Sequence, residues 1–463
     1  MILRISTRPF LSSVEKKWLT FQLLLAVEQC HKLGVCHGDI KLENIMVSSW
    51  SWLTLTDFAC FKPTFLPEDN PADFSYFFDT SRRRVCYIAP ERFVRRVSGS
   101  ESVTGGLGGD QDADTGLLLQ SMDVFSVGCC VGELFTDGVP MFDFSQLLSY
   151  RSGEYSPQEI LDKIDDEEVR RMVASMISQE PGERLTVEQY LNDQRGRVFP
   201  EQFYTFLQSY IAVFSRSPLM SSDQKIMRIH KDLHYLQTLL DSADPGDMID
   251  SSCLVIVTNV VISCVRSLQL TSCQLSCLEI LEWLSAKLSA DIILERILPQ
   301  LIHFLSQPLL SPTVTAAAVS ALVTCLSHVD HVPRSDANTW PEYILPVLSP
   351  LSTHSCVNVR CAVARHVAEV AQLATAWLDM IIADTCQPAH VATDYHSELS
   401  TLHQFIVSMV TSLLEDNSNS VKQVLVTESA ARLAVWLGRQ KANDVLLSHM
   451  ITFLNDKDDS HLR

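Results

Sequence analysis

Four polar side chains between residues 37 and 59 have the types and spacing that phosphoryl transfer requires. Asp39, Lys41 and Asn44 lie within one short stretch, and Asp57 follows after a hairpin-like pattern. Transfer of a phosphoryl group needs an acceptor hydroxyl held in line and cations placed over the phosphates. The alternative interpretation is structural, with Asp39 and Asn44 capping loops and Asp57 forming a turn.

The order of further motifs distinguishes these two interpretations. The segment 37–44 resembles the catalytic loop of protein kinases, and the Asp-Phe-Ala segment 57–59 resembles their metal-binding D-F-G element. Glu91 closes an Ala-Pro-Glu segment where kinases have A-P-E. A later apolar helix resembles the kinase F helix with Asp123 at its buried acidic position, and Arg184 stands where kinases pair an arginine with the A-P-E glutamate. The ordered set indicates a protein-kinase lobe of the serine/threonine type.

The kinase resemblance implies a role for each of these residues. Asp39 would orient the acceptor hydroxyl and accept its proton, and Lys41 would neutralise charge on the transferring phosphate. Asn44 and Asp57 would hold Mg²⁺ with a bound ATP. Asp123 would be a structural residue. Glu91 and Arg184 would also be structural, and we expect them to form a buried ion pair.

The sequence also departs from the kinase pattern. The catalytic-loop arginine is replaced by Gly38, so the loop is expected not to clamp a phosphorylated activation segment. The glycine of D-F-G is Ala59, which narrows the backbone freedom beside the metal ligand. The glycine-rich loop and the V-A-I-K lysine of kinases do not occur before the first predicted helix. We therefore expect a lobe without its N-terminal half, with doubtful ATP binding and little or no activity.

Local patterns predict the elements that position these residues. A helix is expected over 11–34, capped by Ser12 or Ser13 and ended by Gly34. The stretches 45–47 and 53–55 predict a hairpin. Further expectations are a long irregular loop over 62–84, a flexible insert over 98–116, a helix from Ser121 to Leu134, and a helical stretch over 156–193.

The second half has a different texture. From about residue 200, apolar helices alternate with short polar turns, and weak repeats begin at Pro299 and Pro346. This pattern resembles HEAT repeats, which are stacked antiparallel helix pairs. The predicted fold is mainly α, with a kinase C-lobe followed by a HEAT-repeat α-solenoid. The predicted domains are a kinase-like domain at 1–198, a helical linker at 199–250 and HEAT repeats at 251–463.

Composition excludes some classes of protein. The formal net charge of −19 argues against broad nucleic-acid binding, although Arg82, Arg83 and Arg84 form a local basic patch. The 14 cysteines include no C-x-x-C pair, so Cys273 and Cys277 are expected to be buried structural residues. The most apolar stretch, 253–265, is too short to span a bilayer. A soluble intracellular protein is expected.

The kinase motifs and the repeats together resemble the kinase-like regulatory subunits of class III phosphatidylinositol 3-kinase complexes, a vacuolar protein sorting family. This resemblance implies a scaffold that binds the lipid kinase catalytic subunit and a beclin-type subunit. The complex would attach peripherally to endosomal and autophagic membranes, from the cytoplasm, and support phosphatidylinositol 3-phosphate production. The alternatives are an active serine/threonine kinase in a full-length form, or a plain HEAT adaptor with no nucleotide role.

Overall fold

The chain folds into two compact units. The computed structural model describes residues 1, 5, 7, 9–59, 61–79, 81–94, 117–242, 250–333, 338–383 and 388–454. The first unit comprises Met1–Leu219 with Asp241–Asp250, and the second comprises Met220–Leu240 with Ser251–Arg463. The boundaries predicted from the sequence stay predictions, and the predicted flexible insert at 98–116 lies outside the described residues.

The first unit is mostly helical, with two small two-stranded sheets. Its helices are α1 (Ser13–Lys32), α2 (Pro71–Phe77), α3 (Gln120–Phe135), α4 (Phe144–Arg151), α5 (Gln158–Leu161), α6 (Glu167–Met176), α7 (Val187–Asp193) and α8 (Gln208–Val213). Its strands are β1 (Ile45–Val47), β2 (Leu53–Leu55), β3 (Leu66–Pro67) and β4 (Phe93–Val94). Short 3₁₀ turns cover Leu42–Asn44, Pro90–Arg92 and Pro181–Glu183, and a π turn covers Phe203–Leu207.

Helix α1 confirms the prediction for 11–34 and shows why it begins and ends there. Ser12 is its N-cap, the backbone N–H of Ser12 donates to Glu15 Oε2 at 2.8 Å, and the N–H of Glu15 donates back to Ser12 Oγ at 3.4 Å. This capping box satisfies two N–H groups that the first turn leaves without partners. Gly34 follows the last turn with a φ of +72°, which glycine adopts without steric cost.

The predicted hairpin is also confirmed. Strands β1 and β2 pair antiparallel, with Ile45 opposite Leu55 and Val47 opposite Leu53. The strands are too short to be stable alone, and helix α1 packs against β2. The hairpin therefore fixes the two segments that enter and leave it, which carry the candidate site.

The prediction of an irregular loop over 62–84 is wrong in part, because the segment contains β3 and α2. The side chain of Asn70 caps α2 by accepting from the N–H of Ala72 at 3.3 Å. Pro71 occupies the first helical position, where its missing N–H costs nothing. The prolines in this loop therefore mark the start of a helix as well as turns.

Helix α3 forms the centre of the first unit, and it confirms the helix predicted from Ser121 to Leu134. Nearly all of its residues are buried, and it packs against α1 and α6. Gly128 allows the close approach of α6, because a Cβ at this position would lie 2.6 Å from Met176 Cβ. The stretch predicted as helical over 156–193 is divided into α5, α6 and α7 by turns.

The second unit consists of helices in its described residues. They are α9 (Ser222–Leu240), α10 (Leu254–Val265), α11 (Thr271–Ser285), α12 (Ala290–Ile292), α13 (Leu298–Leu305), α14 (Pro312–Ser327), α15 (Leu345–Leu348), α16 (Val357–Ala383), α17 (Pro388–Leu414), α18 (Asn419–Val424), α19 (Ala430–Ala442) and α20 (Ser448–Leu454). Short 3₁₀ turns cover Ser251–Cys253 and Ser349–Thr353. Four π turns cover Ile293–Ile297, Thr339–Ile344, Leu425–Ser429 and Asn443–Leu447.

In the second unit, a series of long helices packs one on the next, with other helices packed beside them. Helix α11 packs on α14, α14 packs on α16, and α16 packs on both α18 and α19. The helices between them, α13 and α17, pack on α14 and α16 respectively. Cys273 and Cys277 are both buried on α11 as free thiols, as predicted. In the described parts of the chain, no helix combines the length and apolar character needed to cross a membrane.

Candidate active site

Asp39 is the centre of the candidate site and is surrounded by donors. Its Oδ2 lies 2.6 Å from Lys62 Nζ, 3.3 Å from Lys41 Nζ and 3.1 Å from Asn44 Nδ2. Asn44 Nδ2 also donates to the backbone carbonyl of Asp39 at 2.8 Å, and Lys41 donates to the carbonyl of Phe78 at 2.7 Å. The structure thus brings together three of the residues predicted from the sequence and adds a second lysine.

Asn44 and Asp57 flank the open end of the hairpin. The N–H and hydroxyl of Thr56 both donate to the carbonyl of Asn44, at 2.9 and 3.1 Å. Asp57 comes next with a φ of +61°, which is strained for a residue with a side chain. Its carboxylate is exposed and makes no hydrogen bond or ion pair within the described part of the chain. Such strain is commonly retained at functional positions.

The donor set of these two residues fits Mg²⁺, which prefers oxygen ligands. Asn44 uses its Nδ2 for Asp39 and keeps its Oδ1 for another partner. Asn44 and Asp57 would hold the ion, and the metal would supply charge neutralisation on the phosphates of ATP. Use of ATP and Mg²⁺ is a property of the protein kinase family, and binding of either by this chain stays a prediction.

Asp123 fixes the backbone of the catalytic loop by hydrogen bonds. Its Oδ2 accepts from the backbone N–H of His37 at 2.7 Å, and its Oδ1 accepts from that of Gly38 at 2.8 Å. Its Oδ2 also lies 3.0 Å from His31 Nε2, and only 1% of Asp123 is exposed. His37 Nε2 in turn lies 2.8 Å from the carbonyl of Thr56. The first turn of α3 therefore fixes the loop that carries Asp39.

His31 and Asp123 also lie beside Cys36, with one ligand atom from each within 4.8 Å of the others. This group is better explained as structural than as a metal site. Both oxygens of Asp123 are occupied by the backbone N–H groups of His37 and Gly38. Burial raises the pKa of the Cys36 thiol to about 11.

Arg184 and Glu91 form a bidentate ion pair. Arg184 Nη1 donates to Glu91 Oε1 at 2.7 Å, and Nη2 donates to Oε2 at 3.0 Å. The remaining donors of the guanidinium reach the carbonyls of Ser178, Ser121 and Gln179 at 2.8, 2.9 and 3.1 Å. All five N–H groups of the arginine are therefore used. The pair lies at the Ala-Pro-Glu segment and ties it to the end of the lobe.

Arg92 joins the catalytic loop to the segment that follows Asp-Phe-Ala. Its Nη1 donates to the carbonyl of Gly38 at 2.6 Å, its Nε to that of Thr64 at 2.7 Å, and its Nη2 to that of Pro63 at 3.1 Å. Its guanidinium carbon also lies 5.1 Å from the centre of the Phe78 ring. Burial lowers the pKa of Arg92 to about 10, which still leaves the guanidinium charged at neutral pH.

Gly38 stands where the kinase pattern has an arginine, and its surroundings are built for glycine. Its φ is +78°, a backbone conformation that side chains rarely adopt. A Cβ at this position would lie 2.6 Å from Leu118 Cδ1. The contact between the catalytic loop and the segment after Asp-Phe-Ala comes instead from Arg92, in the 3₁₀ turn Pro90–Arg92.

A second ion network anchors the basic patch. Arg83 forms ion pairs with Glu43 at 3.3 Å and with the buried Glu133, which also accepts from the Tyr87 hydroxyl at 2.6 Å. Burial raises the pKa of Glu133, while the hydrogen bonds from Tyr87 and Arg83 oppose that rise. The neighbouring Arg82 and Arg84 are exposed. One arginine of the predicted patch is therefore structural.

Sequence reasoning did not identify Lys62 and Arg92 as parts of the site. Lys62 was recognisable only as a cation five positions after Asp57, and Arg92 only as the residue following Glu91. No periodicity or spacing rule selects either one. Their positions depend on how the 61–79 segment folds back over the catalytic loop.

Two family models match the chain. Residues 3–194 match the protein kinase domain, and residues 257–463 match the middle domain of PIK3R4-like proteins. The first match covers the described motifs of the candidate site, and the second covers most of the second unit. The chain therefore combines a kinase-type lobe with a PIK3R4-like helical region.

Curated relatives match nearly the whole chain. It is 33% identical to the serine/threonine-protein kinase VPS15 of Arabidopsis thaliana, over 98% of this chain and 37% of that protein. It is 34% identical to the putative serine/threonine-protein kinase VPS15 of Komagataella pastoris, over 98% of this chain and 35% of that protein. The VPS15 kinase of Saccharomyces cerevisiae is 29% identical, over 97% of this chain and 35% of its own length.

The chain thus spans about a third of the length of these relatives, with 35–37% of each one covered. Within that span, both the kinase lobe and the helical region align, in the same order as the two family models. The chain belongs to the VPS15 family.

Proposed function

We propose that the chain is a regulatory and scaffolding subunit of a class III phosphatidylinositol 3-kinase complex. It would support phosphatidylinositol 3-phosphate production in autophagy and endosomal sorting. The observation that carries the proposal is the PIK3R4-like match over residues 257–463 in the same chain as a kinase lobe. A PIK3R4-like region points to a subunit of a phosphatidylinositol 3-kinase complex.

The second unit has the construction that a scaffold needs. We assign its helices to HEAT-type repeats, supported by the packing of α11, α14 and α16 in succession. Arg360, at the start of α16, donates to both oxygens of Asp416, at 2.5 and 3.0 Å. The Asp416 Oδ1 also accepts from the N–H of Ser418, just before α18. Bonds of this type fix one helix pair to the next, and a stacked array offers a long binding surface.

The partners proposed for this scaffold are the lipid kinase catalytic subunit and a beclin-type subunit. Membrane association would be peripheral and made through the complex, on endosomal and autophagic membranes facing the cytoplasm. Its net charge of −19 disfavours nucleic acid as a partner.

The test is reconstitution of the chain with the class III catalytic subunit. We expect the two to elute together in size-exclusion chromatography, and the chain to raise phosphatidylinositol 3-phosphate production on phosphatidylinositol vesicles. Separate elution together with unchanged lipid kinase activity would contradict the proposal.

A second candidate function is serine/threonine phosphotransfer. The observation that favours it is the exposed carboxylate of Asp57, directly after the Thr56 that bonds to Asn44, together with Lys41 beside Asp39. The measurement is transfer of labelled phosphate from ATP to serine- and threonine-containing peptides. Activity that disappears in Asp57→Asn would support this function, and transfer that survives in that variant would exclude these residues as its source.

A further inference from the structure

We propose that Lys62 is an internal blocking group, whose ammonium occupies the position in front of the Asp39 carboxylate that an acceptor hydroxyl would need. The inference rests on the proposed function, because it explains how a kinase lobe can serve for contact in place of catalysis. Lys62 Nζ lies 2.6 Å from Asp39 Oδ2, and the two side chains are 11% and 5% exposed. A charge-assisted bond of this length is among the stronger hydrogen bonds in proteins.

Lys62 is also held by an aromatic ring at its ammonium and by hydrogen bonds at its backbone. The ammonium lies 5.1 Å from the centre of the ring of Phe78, whose carbonyl accepts from Lys41. The backbone N–H of Lys62 donates to the carbonyl of Ala59 at 3.0 Å, and the N–H of Ala59 donates to the carbonyl of His37 at 3.0 Å. The lysine is therefore fixed both at its tip and at its backbone.

Arg92 completes the arrangement by holding the next two residues. It donates to the carbonyls of Pro63 and Thr64 and, with a third nitrogen, to the carbonyl of Gly38. This clamp is made of backbone carbonyls and a buried arginine, so it needs no phosphorylated residue. It replaces the phosphate-dependent clamp that Gly38 cannot provide.

The charges and donors around Asp39 limit what its carboxylate can still bind. Two ammonium groups and one amide donor converge on a single oxygen, Oδ2. These three donors use the lone pairs of Oδ2, which leaves an incoming hydroxyl only the other oxygen of the same carboxylate, next to the Lys62 ammonium. Asp39 therefore acts as an anchor for the activation segment as long as Lys62 stays in place, and removal of Lys62 exposes it.

Carbodiimide labelling of carboxylates with glycine ethyl ester tests this arrangement on the whole chain. In the unmodified protein, mass spectrometry should show fast labelling at the exposed Asp57 and slow labelling at Asp39. In Lys62→Ala, labelling of Asp39 should be about tenfold faster, since loss of one charge-assisted bond shifts the local opening equilibrium by roughly that factor. Lys62→Arg keeps the charge and should preserve the protection.

Two carboxylates serve as internal controls. Asp57 should label at the same rate in every variant, and the buried Asp123 should stay unlabelled in any folded one. If Asp123 becomes labelled in Lys62→Ala, that variant has unfolded, and the labelling of Asp39 is then measured in Lys62→Gln, which keeps most of the side-chain volume without the charge. Asp39 labelled as fast as Asp57 in the unmodified protein would overturn the proposal. So would unchanged Asp39 protection in a folded Lys62→Ala or Lys62→Gln.

The outcome is separable from the proposed scaffold function. Labelling uses no partner and no nucleotide, so exposed Asp39 in the unmodified protein would leave the reconstitution result untouched. Conversely, failure to bind the lipid kinase with Asp39 protected would leave the blocking contact standing.

Discussion

Arg184 reaches across 93 positions of the chain and donates to both carboxylate oxygens of Glu91. The side chain of Arg184 is fully buried, whereas that of Glu91 is 20% exposed. Arg184 also satisfies three backbone carbonyls. The pair therefore acts as a fixed joint between the Ala-Pro-Glu segment and the last part of the kinase lobe.

Loss of this joint should destabilise the lobe strongly. We expect Arg184→Ala to lower the free energy of unfolding by about 3–5 kcal/mol, because it leaves Glu91 and several carbonyls without their partner. Urea denaturation followed by circular dichroism measures this change. Arg171→Ala is the matched control, since Arg171 is 60% exposed and, among the residues the structure describes, forms ion pairs with Glu167 and Glu168 on its own helix. That control should cost less than about 1 kcal/mol, and an equal loss in both variants would refute the joint.

Asp123→Asn should loosen the catalytic loop. The two backbone N–H groups of His37 and Gly38 bind different oxygens of Asp123, and an asparagine retains only one of them. We expect a loss of about 1.5–3 kcal/mol, the usual contribution of a hydrogen bond to a charged group. Hydrogen exchange at the amides of His37 and Gly38 should become faster. Asp137→Asn, at a carboxylate that is 71% exposed, should change neither quantity.

Gly38→Ala tests whether glycine is required by the backbone or by space. A Cβ would meet only the tip of the Leu118 side chain, which can move, but the φ of +78° would remain. We therefore expect a cost of about 1–2 kcal/mol that Leu118→Ala does not restore. Gly34→Ala separates the cost of the positive φ from the cost of steric contact, because Gly34 has a φ of +72° and an added Cβ there would have no neighbour within 4 Å.

Gly34→Ala should thus cost about as much as Gly38→Ala, on the order of 1–2 kcal/mol. Gly182→Ala, at a residue with neither a positive φ nor close neighbours, should be nearly neutral. Full recovery of Gly38→Ala stability by Leu118→Ala would show that space, and not φ, is decisive. Chemical denaturation measures the free energy of unfolding of each of these variants and of the unmodified protein.

The Arg360–Asp416 bridge makes the second unit sensitive to acid. Burial alone would raise the pKa of Asp416, but the hydrogen bonds from Arg360 and from the Ser418 N–H outweigh it and lower the pKa. A depressed carboxylate pKa gives stability that is present above the unfolded pKa, near 4, and is lost as pH falls through the folded value. Asp416→Asn should therefore cost about 1.5–3 kcal/mol at pH 7 and much less near pH 3.

Denaturation of both proteins across this pH range is the measurement for the bridge. Asp444→Asn, at an exposed carboxylate in the same unit, serves as the control and should show no such pH dependence. A cost of Asp416→Asn that stays constant between pH 7 and pH 3 would refute the assignment.

The elements that local sequence signals determine were predictable. Ser12 and Gly34 bound α1 through capping and a positive φ, and the β-branched and apolar residues of 45–47 and 53–55 predict the hairpin. These signals act over a few residues, so they survive without tertiary information. Helix α2 was missed although Asn70 and Pro71 form a recognisable N-terminus, because the surrounding prolines also suit turns.

Only the residues of the candidate site that belong to the kinase motifs were predictable from the sequence. The positions of Asp39, Asn44 and Asp123 follow from their motifs, but the partners of Asp39 do not. Lys62 reaches it over 23 positions through a fold of the activation segment, and Arg92 reaches Gly38 over 54. Long-range contacts of this kind depend on tertiary packing, which residue spacing does not encode.

The most direct test of the central claim is reconstituted lipid kinase activity with Asp57→Asn in place of the unmodified chain. If the chain acts by contact, complex formation and phosphatidylinositol 3-phosphate production should both equal those of the unmodified chain. This substitution alters an exposed carboxylate without touching the packing of the lobe. Intact complex formation with a loss of lipid product of about tenfold or more, the size expected when a positioned catalytic group is removed, would contradict the account.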